Sequence, residues 1–178
     1  MTSQIPERYS VPAILVHWLM ALMLVTSFGV GLYMADLPFS PLRVRLFNWH
    51  KWVGITILAL ALFRLCWRVF NTPKAEPVVP AWQSVASRLV HRLMYVLFFA
   101  VPLVGWAFSS AAGVPVVWFG VIPLPDFVAA DKATAELIKP WHGGLAWTLA
   151  MLVCVHVAAA VKHHFIDRDG LLFRMLPR

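Results

Sequence analysis

Two histidines, His142 and His156, stand fourteen residues apart in the apolar stretch WHGGLAWTLAMLVCVH. Imidazole is polar, ionisable and metal-ligating, so it is costly inside an apolar segment unless a partner uses it. Fourteen residues at 100° each fall about 40° short of four whole turns, so on a helix both rings leave one face, about 21 Å apart along the axis. Such a helix offers a ligand at each of two depths, and each ligand needs a counterpart on another element.

The elements follow from composition. The 178 residues are 61% hydrophobic and 13% charged, with a mean hydropathy of +0.75. That excludes an ordinary soluble domain and predicts an all-α integral membrane protein, a single domain over 1–178 forming a four-transmembrane-helix bundle. Spans of roughly 20 apolar residues fall at about 13–34, 46–68, 91–112 and 140–163. The second is interrupted by Lys51, Arg64 and Arg68, basic side chains that can snorkel from span ends. An uncharged run from Leu93 to Pro125 exceeds one span, and Pro115, Pro123 and Pro125 mark its end as an interfacial loop. Asn71–Trp82 is a proline-rich connection.

Charge sets the expected orientation. With the N-terminus cytoplasmic, that side holds ten Lys and Arg, among them Arg8, Lys74, Arg88, Arg92 and Arg178, and the other side five: Arg43, Arg45, Lys51, Lys132 and Lys139. The bias predicts both termini inside, with lipid around the spans. The net charge of +7 is mostly this bias, and without a basic stripe interleaved with aromatics it points to no nucleic-acid partner. Cys66 and Cys154 lie in different spans and form no CxxC or CxxCH, which excludes a disulfide framework and covalent haem attachment.

Depth then matches the histidines. In this orientation His142 and His50 lie near the outer mouths of their spans, and His156 and His17 near the inner ends. Two imidazoles facing each other across a gap in a helix bundle suit an iron porphyrin with two axial nitrogens. The two pairs therefore predict two haems, an outer one on His50 and His142 and an inner one on His17 and His156, with those four histidines as the iron ligands. Glycines 29, 31, 54, 105, 143 and 144 would allow a flat macrocycle to approach the backbone, though small-residue helix packing would use them equally well. His91 shares the depth of His17 and competes with it for the iron, but flanking Arg88 and Arg92 suit a propionate contact better. A structural zinc site would need four ligands at one depth with short spacings, and none is present.

The chain resembles the prokaryotic cytochrome b561 family in YSVPAILVHW around His17, HKWVGI from His50, HRLMYVLFFAVPLVGW in the third span, KPWHGGLA, VHVAAAVKHHF and LLFRMLPR, from Tyr9 to the C-terminus. The family's ligand pattern falls on His17, His50, His142 and His156. Resemblance to its small superoxide-oxidising members implies a superoxide:ubiquinone oxidoreductase, in which electrons from periplasmic superoxide reach ubiquinone through two haem b groups. It also implies a quinone site near the inner haem served by His163, which lies seven residues past His156 on the same helix face. Arg43, Arg45 and Lys51 bracket His50 and are the candidates for steering the superoxide anion. The alternative is a cytochrome b subunit carrying electrons between quinone and a hydrogenase or dehydrogenase partner. A haem-free membrane scaffold or transporter is the reading of a different class, which absorbance in the haem Soret region separates from both cytochromes.

Overall fold

The computed structural model describes residues 8–71 and 80–176. Most of the proline-rich connection, including Lys74, and also Arg178 lie outside the described residues. Four helices carry the fold: α1 (Val11–Ala35), α2 (Pro41–Phe70), α3 (Ala81–Ala111) and α4 (Lys132–Lys162). All four are long and apolar enough to cross a membrane, so the expected all-α membrane bundle is present.

Helix starts differ from hydropathy edges, because capping decides where a helix begins and hydropathy marks only the part suited to hydrocarbon. Helix α2 starts five residues ahead of Leu46, where the Ser40 hydroxyl accepts the Arg43 backbone N–H at 3.3 Å. Helix α4 starts at Lys132, where the Asp131 carboxylate accepts the Thr134 hydroxyl at 2.6 Å and the Thr134 N–H at 2.7 Å. Those two bonds hold the Asp131 carboxyl below its usual range. Pro140, expected at the start of the fourth span, sits inside α4, as Pro102 sits inside α3. Neighbouring helices let membrane spans tolerate such prolines.

Helix α3 packs extensively on α4, and α2 packs on both α1 and α3; among the described residues α4 stands off from α1 and α2. The buried core consists of Met20, Ile57, Ala61, Met94, Leu97, Phe98 and Leu149. Leu149 is seven residues from both His142 and His156, so this apolar layer lies midway between the two histidine levels. Outward-facing Leu22, Val25 and Met151 are exposed, as lipid contact requires.

The expected interfacial loop after α3 is an ordered hairpin. Strands β1 (Val117–Trp118) and β2 (Ile122–Pro123) pair antiparallel, Val117 with Pro123 and Trp118 with Ile122. Phe119 and Gly120 both have positive φ, 51° and 73°, the combination a type I′ turn requires. Glycine adopts it freely, whereas for phenylalanine the left-handed backbone costs about 1–2 kcal/mol.

After α4 the chain makes a π-helical turn over His163–Asp167 and a short 3₁₀ turn over Leu172–Arg174. The tail folds back on the start of α1: the Tyr9 N–H donates to the Arg174 carbonyl at 3.1 Å and the Trp18 indole N–H to the Met175 carbonyl at 2.6 Å. Both ends of the described chain thus meet at one end of the bundle.

Candidate functional site

Because α4 stands off from α1 and α2, its histidines face across gaps. His142 on α4 meets His50 on α2 with ring centroids 6.0 Å apart and planes at 88°. Both rings are oriented from behind. His50 Nδ1 lies 3.1 Å from the Ser27 carbonyl and His142 Nδ1 lies 3.0 Å from the Val101 carbonyl. A carbonyl can only accept, so each Nδ1 carries the proton and each Nε2 keeps a lone pair for a metal.

Glycines permit this approach at two positions. A Cβ at Gly31 would lie 3.2 Å from His50 Cε1, and one at Gly105 would lie 2.7 Å from His142 Cε1. Gly105 is therefore retained in a helix although alanine would favour the helix by about 1 kcal/mol. Gly29, Gly54, Gly143 and Gly144 have no protein atom within 4 Å of that position, and of these Gly54 lines the cavity beside His50.

A cavity of about 320 Å³ lies at this level, lined by His50, His142, Gly54, Gly105 and Trp106, with Arg43 and Lys51 among the other lining residues. The Trp106 indole N–H is buried there without a hydrogen-bond partner, an unusual state for a donor inside a protein. Arg43 lies over the Phe47 ring at 5.5 Å, and the Lys51 ammonium donates to the Pro115 carbonyl at 3.1 Å. Arg45 is not brought to the cavity. It sits 200° round the helix from Arg43 and is exposed.

At the other level α4 presents His156. Its ring centroid is 6.2 Å from that of His17 on α1 and 5.2 Å from that of His91 on α3. Three imidazoles therefore gather where the sequence pairing used two, around a smaller cavity of about 70 Å³. The guanidinium there belongs to Arg64, not to Arg88 or Arg92. Arg64 Nη1 donates to His17 Nδ1 at 3.1 Å, while Arg88 turns away to the Ser84 hydroxyl at 2.5 Å. Arg64 and Arg68 also lie over the Tyr95 ring, at 5.9 and 5.8 Å. Since a guanidinium only donates, His17 in this arrangement holds its proton on Nε2. Ligation through Nε2 requires Arg64 to release it, and a carboxylate is the partner the guanidinium would prefer.

His163 does not line this cavity. It opens the π-helical turn, where its Nδ1 meets Asp169 Oδ2 at 2.6 Å and Asp167 Oδ2 at 3.2 Å. The other Asp169 oxygen accepts the Leu171 N–H at 3.0 Å, and Lys162 pairs with Asp167 at 2.5 Å. The carboxylates fix the ring through Nδ1 and leave Nε2 available.

Arg64, Trp106 and Asp169 are the site residues that sequence reading passed over. Arg64 carried a usable signal: it lies fourteen residues after His50, the same four-turn interval that joins His142 to His156, so it shares the face of α2 that presents His50. Trp106 and Asp169 carried none, since their roles depend on contacts between distant segments.

Comparison with known proteins gives the family. The family model for prokaryotic cytochrome b561 matches residues 8–178. "Cytochrome b561 homolog 2" of Escherichia coli (strain K12) is 35% identical, with 96% of this chain and 92% of that protein covered. "Cytochrome b561 homolog 1" of the same organism is 31% identical over 97% and 98% of the two chains. "Probable superoxide oxidase CybB" of Yersinia pestis is 29% identical over 97% of each. Opposed imidazoles between helices long enough to cross a membrane suit such a cytochrome, and the chain belongs to the prokaryotic cytochrome b561 family of haem b electron-transfer membrane proteins.

Proposed function

We propose that this chain binds two b-type haems, one between His50 and His142 and one between His17 and His156, and oxidises periplasmic superoxide at the expense of ubiquinone. The observation that carries the reading is the pair of facing imidazole sets, 6.0 and 6.2 Å between ring centroids, four turns apart along α4. A metal–nitrogen bond is about 2 Å long, so two imidazoles on opposite faces of one iron have ring centres about 6 Å apart. Gly31 and Gly105, which leave the rings room, and the unpartnered Trp106 N–H, which suits a porphyrin carboxylate, fit the same group. Arg64 and His91 would hold carboxylates at the other level. His91 is also near enough to His156 to ligate, and replacing His17 and His91 separately distinguishes the two roles by haem content.

A haem with two imidazole ligands supplies a one-electron carrier with no open coordination position. The protein residues do the rest. The carbonyls of Ser27 and Val101 keep the Nε2 atoms of His50 and His142 unprotonated, and the apolar layer around Leu149 excludes water between the two levels. The overall change is two superoxide ions plus one ubiquinone plus two protons giving two oxygen molecules and one ubiquinol. The protons enter at the His163 end, which we place in the cytoplasm with both termini.

Superoxide is favoured as donor by the relative named as a probable superoxide oxidase and by Arg43 and Lys51 beside the His50 cavity. Positive charge at that mouth raises the encounter rate of an anion. The double variant Arg43→Glu, Lys51→Glu is expected to slow anaerobic haem reduction by superoxide about tenfold or more at low salt and to weaken its salt dependence. Rates followed in haem absorbance check this, and an unchanged salt slope refutes steering. If reduction instead requires a hydrogenase or dehydrogenase and superoxide has no effect, the chain is a partner-fed cytochrome.

At the quinone end Asp169 acts as a positioning residue for His163. Asn in its place keeps the Leu171 contact but loses the charge behind the ring. Asp169→Asn is expected to lower quinone turnover on the order of tenfold, in kcat more than in KM, while haem spectra and superoxide-driven reduction stay as in the parent. A change confined to KM or to haem content would assign Asp169 to tail anchoring alone.

A further inference from the structure

The connection between α3 and α4 is more than a link. From Ala111 to Pro125 it carries no charged residue, and the hairpin inside it lies against α2 at the level of Trp52 and Thr56, within the uninterrupted apolar stretch of that span. The Trp52 indole N–H donates to the Val117 carbonyl at 2.6 Å, and the Trp118 indole N–H to the Thr56 hydroxyl at 3.2 Å. Thr56 in turn donates to the Trp52 carbonyl at 2.8 Å. Inside the hairpin, Gly120 N–H bonds the Val117 carbonyl, Val121 N–H the Trp118 carbonyl and Leu124 N–H the Val116 carbonyl. Pro115, Pro123 and Pro125 have no N–H to satisfy. These bonds satisfy the named backbone groups within the protein, which lowers the cost of taking the segment out of water, and α2 covers one side of it.

The side chains say the same. Phe119 is 58% exposed, Val121 78% and Ile122 48%, so the tip is the least covered part of the hairpin. It also holds a phenylalanine in a left-handed conformation that asparagine or glycine would adopt with less strain. One side of the Phe119 ring lies against Trp52 and Trp118, with centroids 5.7 and 5.1 Å apart, and the remainder of this bulky aromatic stays uncovered beside Val121. The exposed face continues the apolar exterior of the four spans.

We propose that Val117–Pro123 is a re-entrant hairpin seated in the membrane leaflet at the His50 end, with Phe119 and Val121 in contact with lipid acyl chains. Seated there, it holds Val116 in the wall of the cavity and the Pro115 carbonyl on Lys51. It closes the site towards lipid and leaves the basic mouth as its opening to water.

The test uses nitroxide labels on Phe119→Cys, Val121→Cys and Ile122→Cys, each in the haem-loaded protein carrying Cys66→Ser and Cys154→Ser, in vesicles of phosphatidylcholine and phosphatidylglycerol. Leu22→Cys on the exterior of α1 and Lys132→Cys at the start of α4 are the lipid and water references. Collision with oxygen relative to a water-soluble nickel chelate is expected to be several-fold higher at 119 and 121 than at 132, and close to that at 22. A ratio at both positions equal to that at 132 overturns the proposal in favour of an aqueous loop. Low access to both reagents overturns it in favour of a protein partner or a second copy covering the tip. A position whose variant loses its haem spectrum is read from the other two.

Discussion

Replacing His142 by alanine is expected to remove about one haem equivalent and leave the other spectrally intact. His142 is the ring on which the His50 end is built: its Nδ1 is fixed by the Val101 carbonyl, which leaves Nε2 as the free nitrogen, and its ring lies 6.0 Å from that of His50. No other described histidine lies within ring contact of His50, so nothing replaces the lost ligand. The His156 level, four turns away beyond the apolar layer of Leu149, keeps its imidazoles. Haem measured per protein in the purified variant should fall from two to one, with roughly half of the Soret absorbance. Retention of both haems would sink the ligand assignment. Gly105→Ala approaches the same site sterically, since its Cβ would lie 2.7 Å from the His142 ring, and should perturb the same haem.

His163→Ala is expected to separate electron entry from electron exit. The variant should bind both haems and accept electrons from superoxide as the parent does, because His163 lines neither cavity. Quinone turnover should fall by about 10²-fold, the lower range of what a positioned proton donor contributes. The chemistry requires it: each electron delivered to a quinone oxygen calls for a proton, and imidazole is suited to carry one near neutrality. His163 is held by Asp169 through Nδ1 at 2.6 Å, which leaves Nε2 to face a substrate. Stopped-flow reduction of the haems, followed by their reoxidation with added quinone, reads the two halves separately. Normal reoxidation would reduce His163 to an anchor of the α4 terminus, with the Asp169 contact serving only to fasten the tail. The smaller loss expected for Asp169→Asn depends on the larger one.

Much of this was legible in the chain, because the relevant signals are local. Four apolar runs specify four spans, since hydrocarbon admits backbone only as self-satisfied helix or closed barrel. The interval from His142 to His156 fixes two ring positions on one helix face whatever that helix packs against. Adding span direction supplied the depths of His17 and His50, and both pairs do come within 6.2 Å in the folded chain. Residues whose value lies in their own position along a helix could be read in this way.

What only the tertiary structure decided lies between helices. Hydropathy does not encode that α4 stands off from α1 and α2 while packing on α3, yet that asymmetry makes the gaps. The carbonyl behind each ring comes from Ser27 for His50 and from Val101 for His142, 23 and 41 residues away. Depth alone could not separate His91 from His17, because both rings reach His156. The cation beside His17 and His156 proved to be Arg64 instead of Arg88 or Arg92, the sequence neighbours of His91, since a side chain's surroundings are set by the face it occupies and not by its sequence neighbours. The proline-marked loop folded into a hairpin because Trp52 and Thr56 of another helix supply the hydrogen bonds that complete it. Periodicity and polarity are properties of one segment, so the sequence determined the spans and the positions of the histidines along them. Gaps, ring orientation and partner choice are properties of segments meeting, and only their packing determined them.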